Sequence, residues 1–143
     1  MLITKCIFAP VEKDDGLRVS IMSRHTLNDG ITPDRRITRH SYENHYQMFA
    51  PPLTTVGAWY KEKIDWEEFT RQYTTHLEEK YVREHLAVLA REALHKNITL
   101  LCVEPTEDQC HRGILARICQ ELEPTLTIKH VPYTEVSANS TAA

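Results

Sequence analysis

Residues 98–122 read ITLLCVEPTEDQCHRGILARICQEL, and this stretch decides the fold. Its first six residues, ITLLCV, are a nearly continuous apolar run, the pattern of a strand covered on both faces in a parallel sheet. Residues 104–109 are a short polar loop. Over 111–122, Ile114, Leu115, Ile118 and Leu122 recur at helical intervals, and Pro124 ends the pattern. A further strand is expected at 126–131, LTIKHV. Strand, helix and strand in this order predict a βαβ unit with a right-handed crossover.

Working outward, residues 81–95 carry Val82, Leu86, Leu89, Ala90 and Ala93 on one helical face. A preceding helix is predicted over 66–79, with Trp66, Phe69, Tyr73 and Leu77 on its inner side. Asp65 caps it, and Glu67 and Glu68 suit its dipole. Pro51-Pro52 opens a shorter helix in LTTVGAWYKEKI. Nearer the start, 2–8 (LITKCIF) and 17–23 (LRVSIMS) read as strands, separated by turn residues. Between Arg24 and His45 lies a long polar excursion, and loops of that length are often functional. The expected architecture is α/β: a small three-layer domain with a mostly parallel sheet flanked by helices. A single domain is expected over 1–136, with 137–143 as a flexible C-terminal tail.

The chain has 143 residues, enough to bury a core in one domain. A net charge of -3 means that no global positive field marks it for nucleic acid. The opening MLITKCIFAPVEKDDG turns polar too early for a signal peptide, and no apolar stretch is long enough to span a membrane. A cytoplasmic location with reduced thiols is therefore expected. Of the four cysteines, Cys6, Cys102 and Cys119 sit in apolar runs and read as small hydrophobes. Cys110 does not. Spacing leaves a Cys102–Cys110 pairing open.

In parallel α/β folds, ligands gather where strand C-termini meet helix N-termini. Cys110 falls there, where free backbone N–H groups and the helix dipole would lower its pKa below about 8.5. Arg112 offers a planar fork for phosphate or carboxylate, and His111 or Glu104 would handle protons. Arg24 directly follows a strand and would reach the same crest as a second anion-binding group. Trp59 and Trp66 have core spacing, which leaves Tyr60 as the best pocket wall. Neither Cys102 nor Cys110 has an arginine six positions on: those positions are Asp108 and Ala116. A phosphatase-type loop is thus not expected. Cys102, Cys110, His111 and His130 could approach zinc, but no CxxC spacing supports it. No metal and no cofactor are assigned.

Four stretches resemble the DUF488 family of small proteins of unknown function: RVSIMSR with NDG (18–24 and 28–30), FAPPLTTVGAWY (49–60), WEEFTRQYTTHLEE (66–79) and LLCVEPTEDQCHRGILA (100–116). The last is the most specific, because both cysteines, Glu104 and the His-Arg pair occur in order. The resemblance implies a small α/β fold with a pocket near Arg24, Tyr60, Glu104, Cys110, His111 and Arg112. The chain departs from the family pattern where HTLNDG (25–30) replaces a Trp-Pro-Arg-Gly segment and Pro52 replaces a serine, so it is identified as a divergent member. The first expectation is a phosphate- or anion-binding pocket at the junction of 98–103 and 111–122, for a phosphate-bearing small molecule or a nucleic acid. The alternatives are a thiol-dependent enzyme using Cys110 as nucleophile and a structural protein without an active site.

Overall fold

The computed structural model describes residues 1–134. The tail expected at 137–143 lies outside them. Five strands form one parallel sheet: β1 (Leu2–Cys6), β2 (Leu17–Ser20), β3 (Asn44–His45), β4 (Ile98–Cys102) and β5 (Ile128–His130), in the order β3-β2-β4-β1-β5. Four helices accompany them among the described residues: α1 (Leu53–Tyr60), α2 (Trp66–Glu78), α3 (Lys80–Ala93) and α4 (His111–Leu122). The fold is the small three-layer α/β domain expected. The predicted strands shorten at their C-terminal ends, where 2–8 stops at Cys6 and 17–23 at Ser20. The two-residue β3 lies inside the excursion and carries no apolar alternation that could have announced it.

Register sorts the two faces of the sheet. Leu2 pairs with Ile98, and Val19 with Leu100. These side chains share one core with Phe69, Tyr73 and Leu77 of α2, Leu86 and Leu89 of α3, and Leu115 and Ile118 of α4. The helical layer therefore covers that face. Asp65 caps α2 as expected, accepting from the Glu68 amide at 2.8 Å.

The other face bears Lys5, Arg18 and Thr99, and a 3-10 turn at Lys13–Asp15 covers them. The Asp15 carboxylate takes Lys5 on one oxygen and Arg18 Nη1 on the other, at 2.7 Å for Arg18. The Asp15 carbonyl accepts from Thr99 Oγ1 at 2.7 Å. One residue thus ties β1, β2 and β4 together. Gly16, at φ 61°, makes the turn possible: an added Cβ would fall 2.0 Å from the Asn97 carbonyl oxygen.

These connections position the site. The chain leaves β1 toward the polar face and leaves β4 toward α4 on the helical face. Neighbouring parallel strands whose chains depart to opposite sides open a crevice at their C-terminal ends. Cys6 and Cys102, partners in register, end those two strands.

Candidate active site

At the end of β4, the loop 103–109 descends to Cys110, the N-cap residue of α4. Gln109 takes a positive φ of 49° to make the turn. Gly113, in the first turn of α4, lets the loop close on the helix, since a Cβ there would sit 2.8 Å from the Glu107 carbonyl oxygen.

His111 Nε2 lies 2.7 Å from the Ile21 carbonyl. A carbonyl only accepts, so Nε2 carries a proton. The other nitrogen, Nδ1, faces Cys102 Sγ at 3.6 Å. Cys102 Sγ, Cys110 Sγ and a His111 ring nitrogen all lie within 4.8 Å of one another. Behind them, Arg112 is 0 % exposed and donates from Nη1 to Cys110 Sγ at 3.2 Å. Its Nε and Nη2 have no hydrogen-bond partner among the described residues.

A hydrogen bond from Cys110 is the main cause that lowers the Cys102 thiol below its usual range. Burial opposes it, and the Arg112 charge reinforces it. Cys110 moves the other way: burial pushes it well above its usual value, and the hydrogen bond to Cys102 and the charge on Cys102 add to that. The helix dipole predicts a lowered pKa at Cys110, whereas the lowered thiol is Cys102. Both thiols are buried, Cys102 at 4 % and Cys110 at 2 % exposure, so burial does not separate them; the hydrogen bond between them lowers Cys102 and raises Cys110, and His111 only partly offsets the rise at Cys110. Cys6 donates to the Val103 carbonyl at 3.4 Å and is raised, chiefly by burial. Cys119, in the core, is pushed up to about 12 by burial.

A cavity of about 740 Å³ opens onto this cluster. Cys102, Cys110 and His111 line it, together with Glu104, Tyr60 and Arg24. Five of the six predicted site residues therefore face one cavity, and the sixth, Arg112, lies beneath its floor. Tyr60 is 41 % exposed, and its phenol is pushed up to about 12, by burial first and then by the charges of Cys102, Glu104 and Cys110. Arg24 is exposed and donates to the Gly30 carbonyl at 3.0 Å. Trp59 and Trp66 pack against the core as expected, yet both also line the cavity. His130 is outside the cluster, paired with Thr4 Oγ1 at 2.7 Å on the far edge of the sheet.

Cys102 joins this cluster although the sequence marks it as a packing residue. It looked like a packing residue because it closes an apolar run. Its position as the last residue of a central strand was the available signal. Cys102, Cys110 and His111 also offer three ligand atoms of the soft and borderline kind that zinc accepts. The Arg112 charge beside the sulfurs opposes a second cation there.

No curated protein and no solved structure matches the chain. A family model described as the active DUF488-N3 subclade, DUF488-N3a, matches residues 2–123. That span holds every strand but β5, all four helices and the whole thiol cluster, and the chain belongs to the DUF488 family.

Proposed function

We propose that the chain is a thiol-dependent enzyme that acts on a small molecule held in the cavity, with Cys102 as the nucleophile. The observation that carries this reading is the position of Cys102 Sγ at the cavity floor, between His111 Nδ1 and the Cys110 thiol. A nucleophilic thiol needs an adjacent group to take its proton and a lowered pKa. His111 supplies the first, held in place by the Ile21 carbonyl. Cys110 and Arg112 supply the second. In the reaction, the Cys102 sulfur attacks an electrophilic centre of the substrate, and Cys110 or His111 returns a proton to the departing group. Arg24, at the cavity wall, meets an anionic part of the substrate such as a phosphate, and Tyr60 flanks it. The anion-binding expectation becomes substrate recognition within this reading. Arg112, being fully buried, acts on the thiols rather than on the ligand.

Site-resolved alkylation of the whole chain from pH 5 to 9, read by mass spectrometry, tests this reading. Cys102 is expected to react first at and below neutral pH, with Cys6 and Cys119 protected. Cys110→Ala moves the Cys102 profile to higher pH. Alkylation of Cys102 no faster than a free thiol in solution refutes the reading and leaves anion binding without thiol chemistry.

A further inference from the structure

Two thiols share the floor of the cavity, and a nucleophile needs only one. The second, Cys110, is reached from Cys102 by a loop of seven residues, 103–109, and both sulfurs lie within the 4.8 Å cluster. A disulfide spans about 2.05 Å between sulfurs, so closure asks for a shift of under ~3 Å. Cys6 is held to the Val103 carbonyl, and Cys119 lies on the inner face of α4. The pairing is therefore specific to Cys102 and Cys110.

We propose that Cys102 and Cys110 form a peroxide-reducing pair, in which Cys102 attacks a hydroperoxide and Cys110 resolves the product as a disulfide. The inference rests on the proposed thiolate at Cys102. In the first step the Cys102 sulfur bonds to the distal peroxide oxygen and the O–O bond breaks. The departing alkoxide takes a proton from solvent, leaving Cys102–SOH and an alcohol, or water from hydrogen peroxide. In the second step the Cys110 sulfur attacks the Cys102 sulfur, the S–O bond breaks, and the hydroxyl leaves as water with the Cys110 proton. One thiolate, one thiol, one hydroperoxide and one proton give one disulfide, one alcohol and one water. The thiols lose two electrons and the peroxide gains them.

Arg112 shapes both directions of this chemistry. Among the described residues no carboxylate lies within salt-bridge reach of it. The Cys102 thiolate answers its charge in the reduced state, and a neutral disulfide does not. Stabilising the reduced form makes a disulfide a stronger oxidant. The disulfide is therefore given up readily, unlike a structural one.

The test treats the reduced, full-length chain with a few equivalents of hydrogen peroxide and maps the peptides. The expected product has lost two hydrogens and links the peptides of Cys102 and Cys110. Dithiothreitol reverses it within minutes. Cys110→Ser accumulates Cys102–SOH, trapped by a 1,3-diketone probe, and Cys102→Ser forms neither product. Arg112→Met slows oxidation at least tenfold and makes the remaining disulfide harder to reduce. Arg112→Lys, which keeps the charge, lies between if the Met variant does not fold. Oxidation straight to sulfinic acid, a linkage through Cys6, or no reaction overturns the proposal. If Cys102 still alkylates rapidly in that case, the enzyme reading stands and only the peroxide chemistry falls.

Discussion

Replacing Asp15 with Asn probes the charge cluster that holds β1, β2 and β4 in register beneath the site. Asp15 and Arg18 are each 2 % exposed and Lys5 is 5 % exposed, so two cations and one anion are buried together. The wild-type cluster carries one net positive charge. Asp15→Asn leaves Lys5 and Arg18 facing each other with no anion between them. Removing one partner of a buried pair costs about 3 to 5 kcal/mol. That is a large share of the roughly 5 to 15 kcal/mol that stabilises a domain. Lys5→Met has the opposite effect on the count, because Asp15 and Arg18 remain as a neutral pair and an apolar chain fills the space. Its cost is under about 1 kcal/mol, since exchanging a buried charge for a well-packed apolar group is often neutral.

Urea denaturation reads both variants. With a slope of about 2 kcal/mol per molar urea, Asp15→Asn lowers the midpoint by roughly 2 M, and Lys5→Met barely moves it. Acid narrows the gap. Burial alone would raise the Asp15 carboxyl, but hydrogen bonds from Lys5, the Glu12 amide and Arg18 outweigh it and hold the carboxyl below its ordinary 3.8. Because the folded value is the lower one, the carboxylate stabilises the fold above the unfolded value. That contribution is lost as the pH falls through the folded one. Equal costs for the two variants, or a larger one for Lys5→Met, would refute the charge count.

Gly113→Ala forces a Cβ to within 2.8 Å of the Glu107 carbonyl oxygen, costs roughly 1 to 3 kcal/mol, and slows Cys102 alkylation by shifting the loop. A variant as stable and reactive as the wild type would show that the loop yields freely. Burial first, then the His45 charge, holds His25 down to about 4 from 6.5. The unfolded chain thus binds that proton first, and stability falls as the pH drops from 6.5 toward 4. His25→Gln flattens that part of the denaturation-against-pH curve, and an unchanged slope would contradict the assignment. Arg112→Met moves the pH profile of Cys102 alkylation upward, toward that of an ordinary thiol, and a profile unmoved by the change would remove Arg112 from the account.

The strands and helices with strong apolar periods were legible because burial dictates them. ITLLC could only be a covered strand, and Phe69, Tyr73 and Leu77 could only be an inner helical face. What escaped the sequence had no period to show. β3 is an Asn-His pair, placed by pairing Val19 with Asn44 and Ser20 with His45 rather than by hydrophobicity. Asp15 stood in a turn-like run of charges, and nothing local marks it as the buried anion of two strands. At the site, the strand-to-helix junction was legible, and Arg24, Tyr60, Glu104, Cys110 and His111 line the cavity there. The helix dipole at Cys110 is a local effect that the sequence shows. Non-local neighbours act there as well: the Ile21 carbonyl orients His111, and Cys102, at the end of β4, interacts with the Cys110 thiol.

The buried Arg112 guanidinium bears on both thiols: it donates to Cys110 Sγ, and its charge lowers Cys102. A guanidinium stays protonated at any physiological pH, and an isolated buried charge is costly. With both thiols neutral, Arg112 stands unanswered beneath the cavity. With one thiolate the cluster is neutral, and with two it carries a surplus negative charge in a place with little water. The first ionisation is therefore eased and the second opposed, as expected for a coupled pair. Cys110 receives the Arg112 hydrogen bond at 3.2 Å and Cys102 faces His111 Nδ1 at 3.6 Å, while the interaction between the two thiols lowers Cys102 and raises Cys110. A divalent cation between both thiolates and His111 would leave Arg112 without its counter-charge. The same buried arginine thus favours a single reactive thiolate over a metal centre, and it favours a disulfide that is readily reduced again over a permanent cross-link.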